Sequence, residues 1–327
     1  MTVVVYAKED LNSLESLIRQ QLVQIPDQNV TNPVYSIPPF NQNNMRKFIK
    51  AASINEIDEL NLIWVLGFYQ DNSFSKPLNY IWYIMNFGGP NSLFSFLRQK
   101  EYIFDLNVKN SNYFENFSLF EIRLKLAPLG FQKIQEIVNI IFDYIDFIIL
   151  NGISKVTFEE AQKLSMLNFH YSKKKMDFQY MTSLSKKIGK IPEKYLLIEE
   201  NLWENFDEKL IRDNLKNLKL DNLFIILNSK KIEKTDKFDP FYSTNYTSDI
   251  IPEDFLQKGQ FIKEFLLVSP NPFVPKSTKI LTNPELKEFS KIPKKIYSSD
   301  QTDVFYRFDN RFKIPFCFAR VRVFLEW

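Results

Sequence analysis

A single histidine, His170, and a single cysteine, Cys317, limit the chemistry this 327-residue chain can carry. Zinc held by protein takes three or four ligands, drawn mainly from His, Cys and carboxylates. One His and one Cys, far apart in sequence, make no His/Cys cluster. No second imidazole exists to serve as the base that activates a nucleophile near neutral pH. The chain is therefore a carboxylate or lysine enzyme, a binding module, or part of something larger. His170, between Phe169 and Tyr171 in a helical pattern, reads as a surface imidazole. Cys317, between Phe316 and Phe318, reads as a small buried apolar residue.

The other reactive side chains have structural readings. Glu159 and Glu160 are adjacent carboxylates, but Thr157-Phe158-Glu159-Glu160 has the order of a capping box, which occupies Glu160 at a helix start. Trp64, Trp82 and Trp203 read as core rings. With only seven glycines and no GxGxxG, GxxxxGK or GxSxG, a glycine-rich phosphate cradle is excluded. The lysine runs (Lys173 to Lys175, Lys230 and Lys231, Lys294 and Lys295) are short and lack repeated aromatic neighbours. With a net charge of +3, nucleic acid is not expected as a partner.

A hydrophobic content of 45% against 25% charged residues supports a sizeable globular core. The most apolar window, Ile134 to Leu150, contains Glu136, Asp143 and Asp146, so no membrane span is expected. The opening MTVVVYAKED carries no secretory n-region, and a lone cysteine suits a reducing compartment. Both favour a cytoplasmic location.

The elements that must position any site follow from pattern. Val3 to Tyr6 reads as a strand, and Leu11, Leu14, Leu17 and Ile18 as a helix. Residues 24–47, rich in Pro and Asn, read as a linker. Leu60 to Gly67 reads as a strand, and Leu78 to Phe87 as a helix stopped at Gly88-Gly89-Pro90. Ser92 caps a short helix to Lys100. Tyr102 to Val108 and Phe117 to Leu126 read as antiparallel strands. Pro128 opens a long helix whose apolar face is Phe131, Ile134, Val138, Ile141, Ile145 and Ile148. Further helices are predicted near 175–189 and 206–219, then a strand at Leu223 to Leu227. Residues 231–300, studded with proline, read as an extended wrapping connection, and Val304 to Trp327 as a final strand region. The order predicts an α+β fold: an antiparallel sheet with helices packed on one face, plus partial flanking sheet elements.

Several stretches carry a resemblance when taken in order. They are MTVVVYAKEDLNSLESLI, NFGGPNSLFSFLRQKEY, Lys125 to Gly130 with its long helix, FDPFYSTNYTSDIIPEDF, SPNPFVPKSTKI and YRFDNRFKIPFCFARVRVFL. Together they resemble, collinearly, the insulin-degrading-enzyme family of clamshell zinc metallopeptidases (the insulinase or pitrilysin type, with an inverted zinc motif). The resemblance implies that residues 1–23 are the tail of a first domain and 24–47 a linker. Residues 48–235 would be the second, non-catalytic domain, 236–300 an extended connection and 301–327 the start of a third domain. Asp303 and Asp309 then read as turn residues at that entry.

The resemblance also implies what the stretch lacks. In the family the His-x-x-Glu-His motif and its distal Glu lie in the first domain, so no catalytic or metal-binding residue and no cofactor is expected here. The second domain in the family anchors a peptide's N-terminal end on an edge strand, by backbone hydrogen bonds. The matching positions are Asn79, Tyr83, Asn86 and Gly88 on the helix and Leu106, Asn107, Val108, Lys109 and Asn110 on the strand. Trp82, Asn86, Val108 and Lys109 stand where the family usually has small residues, so their bulk is expected to crowd the strand or change the groove. The expected partners are peptide substrates or a complementary zinc-bearing half. The expected function is the chamber wall and peptide-binding surface of a zinc metalloendopeptidase, without hydrolysis by this chain alone. The alternative is a stand-alone structural or interaction protein derived from an inactive metallopeptidase.

Overall fold

The computed structural model describes residues 2–26, 28, 40–41, 44–54, 56–67, 75–111, 117–171, 178–280, 292–300, 302–307, 311 and 314–315. The first part of the chain runs α1 (Leu11–Leu22), β1 (Lys47–Ala52), β2 (Glu59–Gly67), α2 (Pro77–Met85), α3 (Leu93–Gln99), β3 (Ile103–Ser111) and β4 (Phe117–Leu126). Next come α4 (Pro128–Gln132), α5 (Ile134–Phe147), a π-helical turn (Ile148–Gly152), α6 (Lys155–Tyr171), α7 (Phe178–Lys187) and α8 (Glu208–Lys216). The strands β5 (Leu223–Ser229), β6 (Lys237–Asp239), β7 (Thr244–Ile250), β8 (Lys294–Ser298) and β9 (Asp303–Tyr306) follow.

Seven strands form one sheet in the order β3-β4-β2-β5-β1-β7-β6. Every neighbouring pair is antiparallel except β1 with β5. Successive side chains of a strand point to opposite faces. In β4 this buries Ser118, Phe120, Ile122, Leu124 and Leu126, while the residues between them stay half-buried. Leu60, Leu62, Trp64 and Leu66 of β2 and Ile225 of β5 join the same buried cluster, on which Ile137, Ile141 and Phe142 of α5 pack. The Trp64 ring lies edge-on to Phe142 at 5.9 Å. The α+β class with a mostly antiparallel sheet is as expected.

α5 departs from its amphipathic reading. Ten of its residues are buried, Asn139 and Asp143 among them. The sheet covers one side, and residues 255–265 of the connection cover the other. Phe265 meets Tyr144 at 5.1 Å and Phe147 at 5.7 Å. The buried polar groups hold that covering segment: Asn139 Oδ1 accepts from the Gln257 N–H at 3.0 Å, and Asp143 accepts from Gly259 and Phe261. Among the described residues no single helix is long and apolar enough to cross a membrane.

Four further differences have physical causes. Val3 to Tyr6 is not a strand, because no ladder partner lies beside it among the described residues. β1 falls at the border of the expected linker. Its residues are only half-buried or exposed, without the alternation that marks a strand. Within the proline-rich stretch, β6 and β7 extend the main sheet through pairing with β1. Finally, Thr157 does not cap α6, since the helix starts at Lys155 and the Phe158 N–H already donates to the Ser154 carbonyl at 3.1 Å. Glu160 therefore points elsewhere. Of the final strand region, residues 304–306 lie in β9, and 316–327, with Cys317, lie outside the described residues.

Candidate functional site

Among the described residues β3 is the outermost strand at one end of the sheet, paired on one side only, with β4. α2 begins at Pro77, whose fixed φ suits a first helical turn, and it runs beside that open edge. Asn79, Trp82 and Asn86 are spaced three and four apart and so share one face of the helix. That face meets the strand. The Trp82 indole N–H donates to the Val108 carbonyl at 2.8 Å. The Val108 N–H donates to Asn86 Oδ1 at 3.0 Å. The Asn110 side-chain amide donates to Asn79 Oδ1 at 2.9 Å.

In an antiparallel pair, outward-facing and inward-facing backbone groups alternate along the strand. Both groups of Val108 face away from β4, so those of Leu106 and Asn110 do as well. The Leu106 N–H is also engaged, by Asp105 Oδ1 at 3.0 Å. Asn107 and Lys109 project from the exposed face of β3, and Leu106 and Val108 are buried. Trp82, read as core from sequence, is 37% exposed. An indole committed to a strand carbonyl at the rim cannot also fill the interior.

The structure thus brings Asn79, Asn86, Leu106, Val108 and Asn110 together and sets Tyr83 and Gly88 apart. Gly88 lies in the turn after α2, and a Cβ there would meet nothing within 4 Å. Tyr83 is on another face of α2, where its hydroxyl donates to Glu160 Oε1. Burial raises the Tyr83 phenol far above its ordinary range, and the hydrogen bond and charge of Glu160 add to this. Glu160 Oε2 accepts from the Asn271 backbone N–H at 2.9 Å. The carboxylate therefore ties α2 to the connection, beside a cleft of about 280 Å³ lined by Tyr83, Phe87, Tyr144, Phe147 and Pro270. In the sequence only the family resemblance grouped these helix and strand positions, and it grouped Tyr83 and Gly88 with them. Nothing local signalled the partners of Glu160.

His170 is exposed in the last turn of α6, with its ring near those of Phe169 and Tyr171. Asp303 accepts from Ser298 Oγ at 2.6 Å and Lys295 Nζ at 2.9 Å within the β8–β9 hairpin. Asp309 lies outside the described residues. Among the described residues no three His, Cys, Asp or Glu side chains come together as metal ligands, so these residues do not fit a zinc site. What the edge offers is main-chain hydrogen bonding and shape.

The family model described as the peptidase M16 inactive domain matches residues 1–165. The model for the middle or third domain of peptidase M16 matches residues 169–326. The chain belongs to the peptidase M16 family. The insulin-degrading enzyme of Homo sapiens is 26% identical over 319 residues, which is 96% of this chain and 31% of that protein. Nardilysin of Mus musculus is 28% identical over 334 residues, 98% of this chain and 28% of that protein. The chain therefore spans less than a third of the length of either relative. The crystal structure of pitrilysin superimposes with a TM-score of 0.77 at 19% identity, covering 94% of this chain and 33% of that one, and so shares the fold. The two M16 matches meet within α6, yet the sheet draws strands from both.

Proposed function

We propose that this chain supplies the non-catalytic wall of an M16-type peptidase and offers the β3 edge to extended peptides, with hydrolysis belonging to a zinc-bearing half. The observation that carries this reading is the position of β3. It lies within the inactive-domain match and is the terminal strand of the sheet, with no strand on its outer side among the described residues. Strand addition suits such an edge, because main-chain hydrogen bonds bind peptides of varied sequence. The residues concerned are Leu106 to Asn110 on the strand and Asn79 and Asn86 on the helix.

The test uses the purified chain and an unstructured peptide of about 25 residues, long enough to lie along a strand. Hydrogen exchange is followed across residues 103–111, and cleavage is followed with zinc and with a chelator. The expected result is slower exchange in β3 with excess peptide and no chelator-sensitive cleavage. Cleavage abolished by the chelator would overturn the non-catalytic reading. Protection that appears elsewhere but not in β3 would overturn the docking edge.

A further inference from the structure

An open sheet edge is a liability, because its unpaired N–H and C=O groups template pairing with any extended chain. β3 meets this problem with side chains. At Val108, the middle of its outward-facing run, both backbone groups are bonded to α2, the carbonyl to Trp82 and the N–H to Asn86. An incoming strand in antiparallel or parallel register would need those same two groups. The Asn110 side-chain amide, one outward position further along, bonds Asn79 Oδ1 and pins α2 against the edge, and Leu106, one position before, has its backbone N–H on Asp105. The three contacts from α2 come from one helical stripe in good geometry, at 2.8–3.0 Å. Phe104, next to this run, is 66% exposed and offers an apolar contact beside the edge.

We infer that Trp82 and Asn86 form a side-chain latch on β3, making addition of an extended peptide conditional on their withdrawal from Val108. The inference rests on the peptide-docking reading above and adds its regulation: α2 competes with the peptide for the same two backbone groups. Trp82 is half-exposed at the rim, so it can swing out without opening the core.

The test compares the intact chain with Trp82→Ala/Asn86→Ala, using the same 25-residue peptide labelled for fluorescence anisotropy. The double variant is expected to bind at least about tenfold more tightly. In the intact chain, peptide binding is expected to shift the Trp82 indole N–H resonance. Trp82→Phe keeps a ring on α2 but removes its donor, so it gives an intermediate gain and serves if the double variant melts early. Equal affinity for all three proteins, with β3 protected in each, would remove the latch and leave the docking edge standing. Protection of β3 in the intact chain with an unmoved Trp82 indole signal would also remove it. Binding by none of the three would overturn latch and docking together. Concentration-dependent dimerisation of the double variant without peptide capture would make a second copy the occupant and overturn the assigned partner.

Discussion

Asp143, on the helix that crosses the core, accepts the backbone N–H of Phe261 at 2.9 Å with none of its surface reaching solvent. Its other oxygen accepts the Gly259 N–H at 2.6 Å. One carboxylate thus seats the strap that covers α5, 116 and 118 residues further along the chain. Asp143→Leu would leave the buried Phe261 N–H unpaired, while the Gly259 N–H lies in an exposed residue that water can reach, and is expected to cost roughly 1–3 kcal/mol. Asp143→Asn keeps an acceptor and should cost less. Urea unfolding midpoints measure both. Equal midpoints for the Asp143→Leu variant and wild type would mean that the strap is not held by this residue.

Gly130 is required by close approach. A Cβ there would stand 1.9 Å from the Tyr102 carbonyl oxygen, which already accepts the Ala127 N–H at 2.9 Å. Gly130→Ala must push α4 away from that carbonyl, and a loss of about 1–3 kcal/mol is expected. Gly88→Ala meets nothing within 4 Å and should stay within about 0.5 kcal/mol of wild type. Thermal melting of the two variants side by side gives the comparison. Equal losses would contradict the close approach.

Burial pushes the phenols of Tyr80 and Tyr144 up to about 12. An unfolded tyrosine ionises near about 10. Their folded values are raised, so their contribution to stability is fully present below about pH 10. It is lost as pH climbs from about 10 towards about 12, where the unfolded chain releases protons that the folded one retains. Absorbance titration near the phenolate band, run beside far-ultraviolet circular dichroism, should show these two phenols, with Tyr83 and Tyr102, ionising late and only as the fold is lost. Complete ionisation near pH 10 with native dichroism would refute this.

Much of the site's scaffold was legible because its signals are local. Ser92 accepts the Ser95 N–H at 3.0 Å as the cap its position announced; Pro128 opens a helix as read, but only the five-residue α4, because the backbone leaves helical geometry at Lys133 and the long helix α5 starts afresh at Ile134. The alternation of Phe117–Leu126 is the burial pattern of β4. What escaped depends on partners distant in sequence. Asn139 and Asp143 look like the polar side of an amphipathic helix until residues 257–261 return to cover them. β7, with Thr, Asn, Ser and Asp, is too polar to read as a strand, yet its backbone finds β1. Trp82 and Asn86 stand out in the sequence for bulk, whereas their hydrogen-bonding groups determine what they do at Val108.

The parallel pairing of β1 with β5 has a consequence for how this chain can be divided. Among the described strands β1 pairs only with β5 and β7, both of which follow residue 169, where the second M16 match begins. A fragment ending in α6 would leave β1 with no neighbour and strip one flank of β2, while the complementary fragment would hold β5 with both its flanks bare. The hairpin-like β3-β4-β2 group can close early, but the sheet is finished only when residues as distant in sequence as Lys47 and Phe224 meet. Such non-local closure slows folding and keeps edges exposed meanwhile. The two matched regions therefore share one sheet, and the border between the matches does not coincide with a structural division.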